Sequence, residues 1–328
     1  MKDTLESIRE RAQAKPKRII LPESDEPRTR EAIRIIADRR IAKVITVGAP
    51  DLAKNLRVRR PDEVEVVEAA RHPSLEGLVA AYAQSMKHKG MTPDQARQAV
   101  LQEKLVFAGL MVRAGLADGF VAGASHTTAD VVRSAIHCIG VDPAIGIISS
   151  SFLMEVPECP YGESGVLLFA DCGVNPDPNP DHLAGIAISS ARLFEQLVGK
   201  AAKVAFLSYS TKGSAKGPLV DKVVQAVQKT RARAPQIAID GELQGDSALV
   251  PEVARLKCPG SPVAGTANVL IFPNLDAGNL AYKLVQRLAK ARAVGPLLMG
   301  SAKPCSDLSR GCSPDDIVDA TAITAVRA

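Results

Sequence analysis

Short apolar runs recur along this chain, each followed by a polar loop and then by residues with helical spacing. That order constrains the fold more than any other feature, because parallel strands need long crossovers and helices supply them. Residues 18–21, 42–47, 119–123, 165–170, 203–208, 268–272 and 295–299 read as strands. Residues 29–39, 130–138, 180–197, 218–233 and 279–291, and a last stretch from Pro314, read as helices. The expectation is an α/β fold with mainly parallel sheets. At 328 residues, and about 100–200 residues per domain, the chain should form two domains. No apolar run reaches the ~20 residues of a membrane span, and the charged start of the chain does not read as a secretory leader. No membrane association and a cytoplasmic location are therefore expected.

Composition narrows the chemistry. Aromatic residues are 3% and Trp is absent, which disfavours modules that stack nucleic-acid bases. The net charge of +5 suits anionic small molecules but is no polybasic footprint, so no nucleic-acid partner is expected. The six cysteines include no C-x-x-C pair, which argues against a zinc site or a disulfide framework. No metal is expected.

In open α/β sheets, ligands bind beyond the carboxyl ends of the strands. Five loops hold those positions: 22–27, 124–128, 171–181, 209–217 and 273–278. A sixth, 300–312, is unusually long between a strand and a helix. In the second loop, Ser125, Thr127 and Thr128 precede a helix carrying Arg133; they suit anion binding or plain helix capping. His126 suits an acid–base role or an ordinary loop hydrogen bond. In the fourth, Lys212, Ser214 and Lys216 among glycines suit a phosphate cradle or a solvated turn. That loop is no Walker A sequence, and G-x-G-x-x-G occurs nowhere in the chain. In the sixth, Arg310 suits a carboxylate or phosphoryl group. Just beyond it, Ser313, Pro314 and Asp316 read as a helix start, so Asp316 serves either the helix or the chemistry.

At these residues the chain closely resembles the phosphotransacetylase family, the phosphate acetyl/butyryltransferases. The blocks that carry the resemblance are 121–133, 169–176, 208–217, 240–246, 274–279 and 307–312, in that order, and it extends from about Ile19 to the C-terminus. It resembles the short form, without an N-terminal regulatory extension. The resemblance implies two α/β domains flanking a cleft, similar to isocitrate and isopropylmalate dehydrogenases. The first domain would comprise 1–143 and 295–328 and the second 144–294, in a homodimer. It implies reversible transfer of an acetyl group between acetyl phosphate and coenzyme A by direct attack of the thiolate in a ternary complex. Coenzyme A is then a substrate, and no cofactor is required.

By the same resemblance Asp316 is the general base, Ser309 stabilises the reacting centre, and Arg310 and Arg133 hold the phosphoryl group. Ser125, Thr127, Thr128, Lys212, Ser214, Lys216 and Asn274 join the substrate-binding set. Cys159 matches a cysteine near the family's active site and is read as non-catalytic. Family members can carry a further arginine just before a Lys-His-Lys-Gly stretch. Here that stretch is Lys87-His-Lys-Gly90 with no arginine, and Lys87 or Lys89 is the expected substitute. Proton abstraction from a thiol by a carboxylate is uphill by roughly 6 kcal/mol. Desolvation of Asp316, or cations around the sulfur, is expected to narrow that gap. The alternatives are a propionyl or butyryl transferase, a hydroxy-acid dehydrogenase with Asp171, Asp177 and Asp181 holding a metal, a covalent route through Cys159 or Cys312, and a non-catalytic CoA-sensing module.

Overall fold

The computed structural model describes residues 4–328, which form two compact units. The first runs through Val141 and includes Ser301–Ala328; the second is Asp142–Gly300.

The first unit holds β1 (Arg18–Leu21), β2 (Lys43–Val47), β3 (Val64–Val67) and β4 (Gly119–Ala122), with a further strand late in the chain. The second holds β5 (Ser149–Glu155), β6 (Val166–Ala170), β7 (Lys203–Leu207), β8 (Ala238–Leu243), β9 (Val269–Ile271) and β10 (Arg292–Met299). The late strand of the first unit is β11 (Cys305–Asp307).

The first sheet has the order β11-β4-β1-β2-β3 with every pair parallel. The chain turns one way from β1 to β2 and returns on β1's other side with β4. The sheet's topological switch point therefore lies between β1 and β4. Strand residues such as Ile19, Ile20, Phe120 and Ala122 are fully buried, as expected for a sheet covered by helices on both faces. The helix Pro314–Arg327 packs against β1, β4 and β11, and against helices Thr4–Ala14 and Pro27–Asp38. Its Asp319 pairs with Arg9 at 2.6 Å, joining the two ends of the chain.

The second sheet has the order β10-β5-β6-β9-β7-β8. The β6, β9, β7 and β8 pairs are parallel, and β5 and β10 add antiparallel pairs at one edge. The helix Pro180–Val198 begins on Asn179, whose side chain accepts from the His182 amide, and ends on left-handed Gly199.

Two expectations need correction. The strand expected to open the return to the first domain at 295 is β10. It begins at Arg292 and pairs with β5, burying Leu297, Leu298 and Met299 in the second unit. The return therefore begins at Ser301 rather than 295, and the earlier boundary falls after Val141 rather than after 143. The long loop 300–312 is not unbroken either. Its Cys305–Asp307 segment pairs with β4 as β11 and is completely enclosed. A three-residue Cys-Ser-Asp strand has neither alternation nor β-branching, so it carries no sequence signal.

Candidate active site

Three loops converge where the first sheet changes direction. They follow β1, β4 and β11, which are neighbours in the sheet. Glu23, two residues past β1, is their organising group. Its carboxylate is buried and accepts from the amides of Gly123 (2.9 Å), Ala124 (2.8 Å), Ser125 (2.9 Å) and His126 (3.1 Å). It also accepts from the Ser125 hydroxyl at 2.9 Å and lies 2.7 Å from His126 Nδ1. Burial alone would raise its pKa. The donors, His126 first, outweigh burial and hold it below the ordinary glutamate value.

Arg28 ties the β4 and β11 loops together. Its guanidinium donates to the carbonyls of Ala124 (2.9 Å), Arg310 (2.8 Å) and Cys312 (2.9 Å). Gly123 makes the close approach possible. Its φ is +118°, and a Cβ there would lie 2.5 Å from Asp307 Oδ1 and 2.6 Å from the Leu308 amide nitrogen. Sequence reasoning marked the 22–27 loop by position, without singling out Glu23 within it or Arg28 just beyond.

Asp307 ends β11 inside this junction. Burial pushes its pKa up to about 7, against the Thr128 hydroxyl that donates to it at 2.6 Å. A folded-state pKa above the unfolded value makes the protonated form the one that favours folding. That stability is fully present below about pH 4 and is lost as pH rises through about 7. Asp307→Asn keeps an acceptor for Thr128. It is expected to raise the melting temperature at pH 8 and to flatten its fall between pH 4 and 7, as read by calorimetry.

The expected catalytic residues lie together on the β11 side. Ser309 and Arg310 are exposed, and the Arg310 side chain has no hydrogen bond or ion pair among the described residues. Asp316 forms a capping box with Ser313: its Oδ2 accepts from the Ser313 amide at 2.8 Å and from the Ser313 hydroxyl at 2.9 Å. Both bonds use the same oxygen, which leaves Oδ1 for a substrate proton. Asp316 is exposed, so the expected desolvation is not built into this arrangement.

On the β4 side, the Ser125, Thr127 and Thr128 hydroxyl protons are already donated, to Glu23, Asp130 and Asp307. Each hydroxyl carries one proton, so in this arrangement these three side chains accept but do not donate to a ligand. Arg133 keeps an exposed guanidinium, with one nitrogen on Asp130 at 2.8 Å. A pocket of about 430 Å³ opens in this unit, lined by His126, Asp130, Arg133, His137, Tyr82 and Lys104 among others. Lys87 is exposed on a single turn and does not line it. Met86, just before Lys87, is buried, so that position belongs to the core. Lys89 Nζ lies 2.8 Å from His137 Nε2.

The remaining expected residues belong to the second unit. Lys212, at φ 48°, is engaged by Asp240, which also pairs with Arg231 at 2.8 Å. Ser214 accepts from the Thr211 amide at 2.9 Å, and the loop is anchored on Glu242 through Ser210 (2.8 Å) and the Gly213 amide (2.7 Å). Lys216 is exposed and unengaged among the described residues. Asn274 caps the helix Leu275–Leu288 through its side-chain oxygen, keeping its amide NH₂ for a ligand.

Asp171 accepts from Ser150, Gly173, Val174 and Asn175, while Asp177 pairs with Lys222 and Asp181 with Lys229. With these partners the three aspartates do not form a common metal-ligand set. Cys159 lies partly exposed between β5 and β6. Cys312 is 6% exposed, and burial raises its thiol to about 11 despite nearby Arg28. Such a thiol is a poor source of thiolate. Cys312→Ala is expected to keep kcat within about threefold of the parent, and a loss of about 100-fold would point to a covalent route.

An α/β enzyme that handles an anionic substrate at strand-end loops is the class this geometry defines. The family model for phosphate acetyl/butaryl transferases matches residues 3–325. The chain is 48% identical over 325 residues to a phosphate acetyltransferase of Thermoanaerobacterium thermosaccharolyticum, covering 99% of both chains. A second phosphate acetyltransferase, from Acetivibrio thermocellus, is also 48% identical, with 99% of this chain and 98% of the relative covered. The solved phosphotransacetylase from Streptococcus pyogenes superposes with a TM-score of 0.91 at 36% identity, covering 98% of this chain and 97% of that one. A 4-hydroxythreonine-4-phosphate dehydrogenase from Klebsiella pneumoniae shares the fold at a TM-score of 0.51 and 10% identity, covering 94% and 97%. The chain belongs to the phosphate acetyl/butyryl transferase family and is an acyltransferase.

Proposed function

We propose that this chain is a phosphate acetyltransferase of acetate metabolism that interconverts acetyl phosphate plus coenzyme A with acetyl-CoA plus phosphate. The observation that carries the reading is Arg310. It is an exposed guanidinium with no hydrogen-bond or ion-pair partner among the described residues, on a loop whose backbone Arg28 fixes, beside Ser309 and the capping carboxylate of Asp316.

In this reading Asp316 Oδ1 takes the thiol proton. The thiolate attacks the acetyl carbonyl, and Ser309 donates to the oxyanion. Arg310 and Arg133 hold the phosphoryl oxygens. The cations that gather the phosphoryl group also favour the thiolate, which narrows the gap to a carboxylate base. Lys216 and the Asn274 amide are offered to coenzyme A, with Lys212 and Ser214 shaping that loop. No cofactor or metal takes part. A homodimer in the cytoplasm, with small molecules as its partners, completes the reading.

Acyl-chain preference is tested with CoA and acetyl, propionyl or butyryl phosphate, following thioester absorbance in the ultraviolet. Acetyl phosphate is expected to give the highest kcat/KM. A higher value for butyryl phosphate would move the chain to the butyryl branch of the family.

A further inference from the structure

Departure of phosphate from an acyl carbon poses a proton problem. When the C–O bond of dianionic acetyl phosphate breaks, the leaving oxygen carries away both bonding electrons. Unprotonated, it would depart as a phosphate trianion, a strongly basic leaving group. Arg310 and Arg133 can neutralise charge, but a guanidinium does not give up a proton in a protein. In the acetyltransferase reading Ser309 is committed to the oxyanion and Asp316 to the thiol, so no group assigned so far is placed to give a proton to that oxygen.

His126 has the geometry for it. Its Nδ1 lies 2.7 Å from Glu23, a buried carboxylate that is held ionised, so Nδ1 carries a proton and the ring is fixed. The opposite nitrogen, Nε2, has no hydrogen-bond partner among the described residues, and the ring lines the same pocket as Arg133. The side chain is 37% exposed, so substrate can reach it. A carboxylate behind an imidazole whose far nitrogen is free is the arrangement of a proton-transfer histidine. Besides His126, the charged and titratable groups lining this pocket are Asp25, Tyr82, Glu103, Lys104, Asp130, Arg133, His137 and Cys138.

We propose that His126 is a catalytic residue that protonates the departing phosphate through Nε2, with Glu23 as its positioning residue. The proposal rests on the acetyltransferase reading. In thioester formation the C–S bond forms and the C–O bond breaks. The imidazolium gives its Nε2 proton to the bridging oxygen and ends neutral, while Asp316 ends holding the thiol proton. Exchange with solvent returns both groups to their starting states. The net change is one proton moved from thiol to phosphate. In the reverse direction neutral His126 removes the proton from attacking phosphate, so the two directions need opposite states of one imidazole.

The test uses full-length His126→Gln and His126→Ala beside wild type. It measures kcat and KM in both directions from pH 5.5 to 9, with the melting temperature and CoA binding as controls for folding. The expected loss is about 10²–10⁴ in kcat, with KM for acetyl phosphate changed far less. The limb of the forward profile that falls with rising pH should vanish. Added imidazole should restore His126→Ala by about tenfold or more. Three results would each overturn the proposal: a kcat within about threefold of wild type, a raised KM with the limb intact, or folded variants that imidazole does not rescue. A wild-type protein that makes no thioester would instead sink the acetyltransferase reading.

Discussion

Replacing Arg310 by glutamine is expected to lower kcat/KM for acetyl phosphate by about 10²–10³ while leaving the melting temperature nearly unchanged. The two halves of that result come from one fact. The guanidinium is exposed and pairs with nothing among the described residues, so folding does not depend on it. Its backbone is nonetheless fixed, because Arg28 donates to the Arg310 carbonyl at 2.8 Å. In the proposed reading, a charged group held ready on an anchored loop, without a partner among the described residues, contributes to substrate and transition state alone. Loss of a charge-assisted phosphoryl contact at such a site costs about 3–4 kcal/mol in barrier, which sets the fold-change. Arg310→Lys should recover part of the activity, since lysine restores the charge but not the planar fork. A melting temperature that fell together with activity would show that the side chain supports the loop instead.

Glu23→Leu should behave in the opposite way, losing stability and activity together. The side chain is buried and is the acceptor for four consecutive amides, those of Gly123 to His126. A leucine would leave those donors without their acceptor and let the β4 loop leave its place beside β11. The expected loss is about 3–5 kcal/mol in urea unfolding, the scale for breaking a buried charge network. Glu23→Gln should be intermediate, because one carboxylate oxygen becomes an NH₂ facing amide donors. The pH dependence has a definite sign. A carboxylate held below its ordinary pKa contributes stability above the unfolded value of about 4.5 and loses it as pH falls through the lowered one. Wild type should therefore lose stability on acidification through that window, and Glu23→Leu should lose less there.

These two residues also mark how far the chain could be read without coordinates. Strands at 18–21, 203–208 and 268–272 were legible because they are apolar runs bounded by turns, and they appear within a residue or so of those limits. Strands β5 and β8 were not. The first opens on three buried serines, and the second carries Asp240, Gly241 and Glu242, so neither shows a strand's periodicity. Ser309, Arg310 and Asp316 stood out as a local cluster matching a known family. Glu23 and Arg28 did not, because their partners lie about 100 and 282 residues away along the chain. Contacts of that separation leave no trace in spacing. Asp316 shows a different limit. Its capping box was read correctly from Ser313 and Pro314, yet only coordinates show that both capping bonds fall on one oxygen, which leaves the other for the proposed proton transfer.

The most direct measurement of the central claim mixes the purified protein with acetyl phosphate and coenzyme A at neutral pH. Thioester absorbance and released phosphate are followed together, for wild type and Arg310→Gln. The account predicts one phosphate per thioester for wild type and a rate lower by about two orders of magnitude for the variant. Phosphate release without thioester, or equal rates for the two proteins, would contradict it.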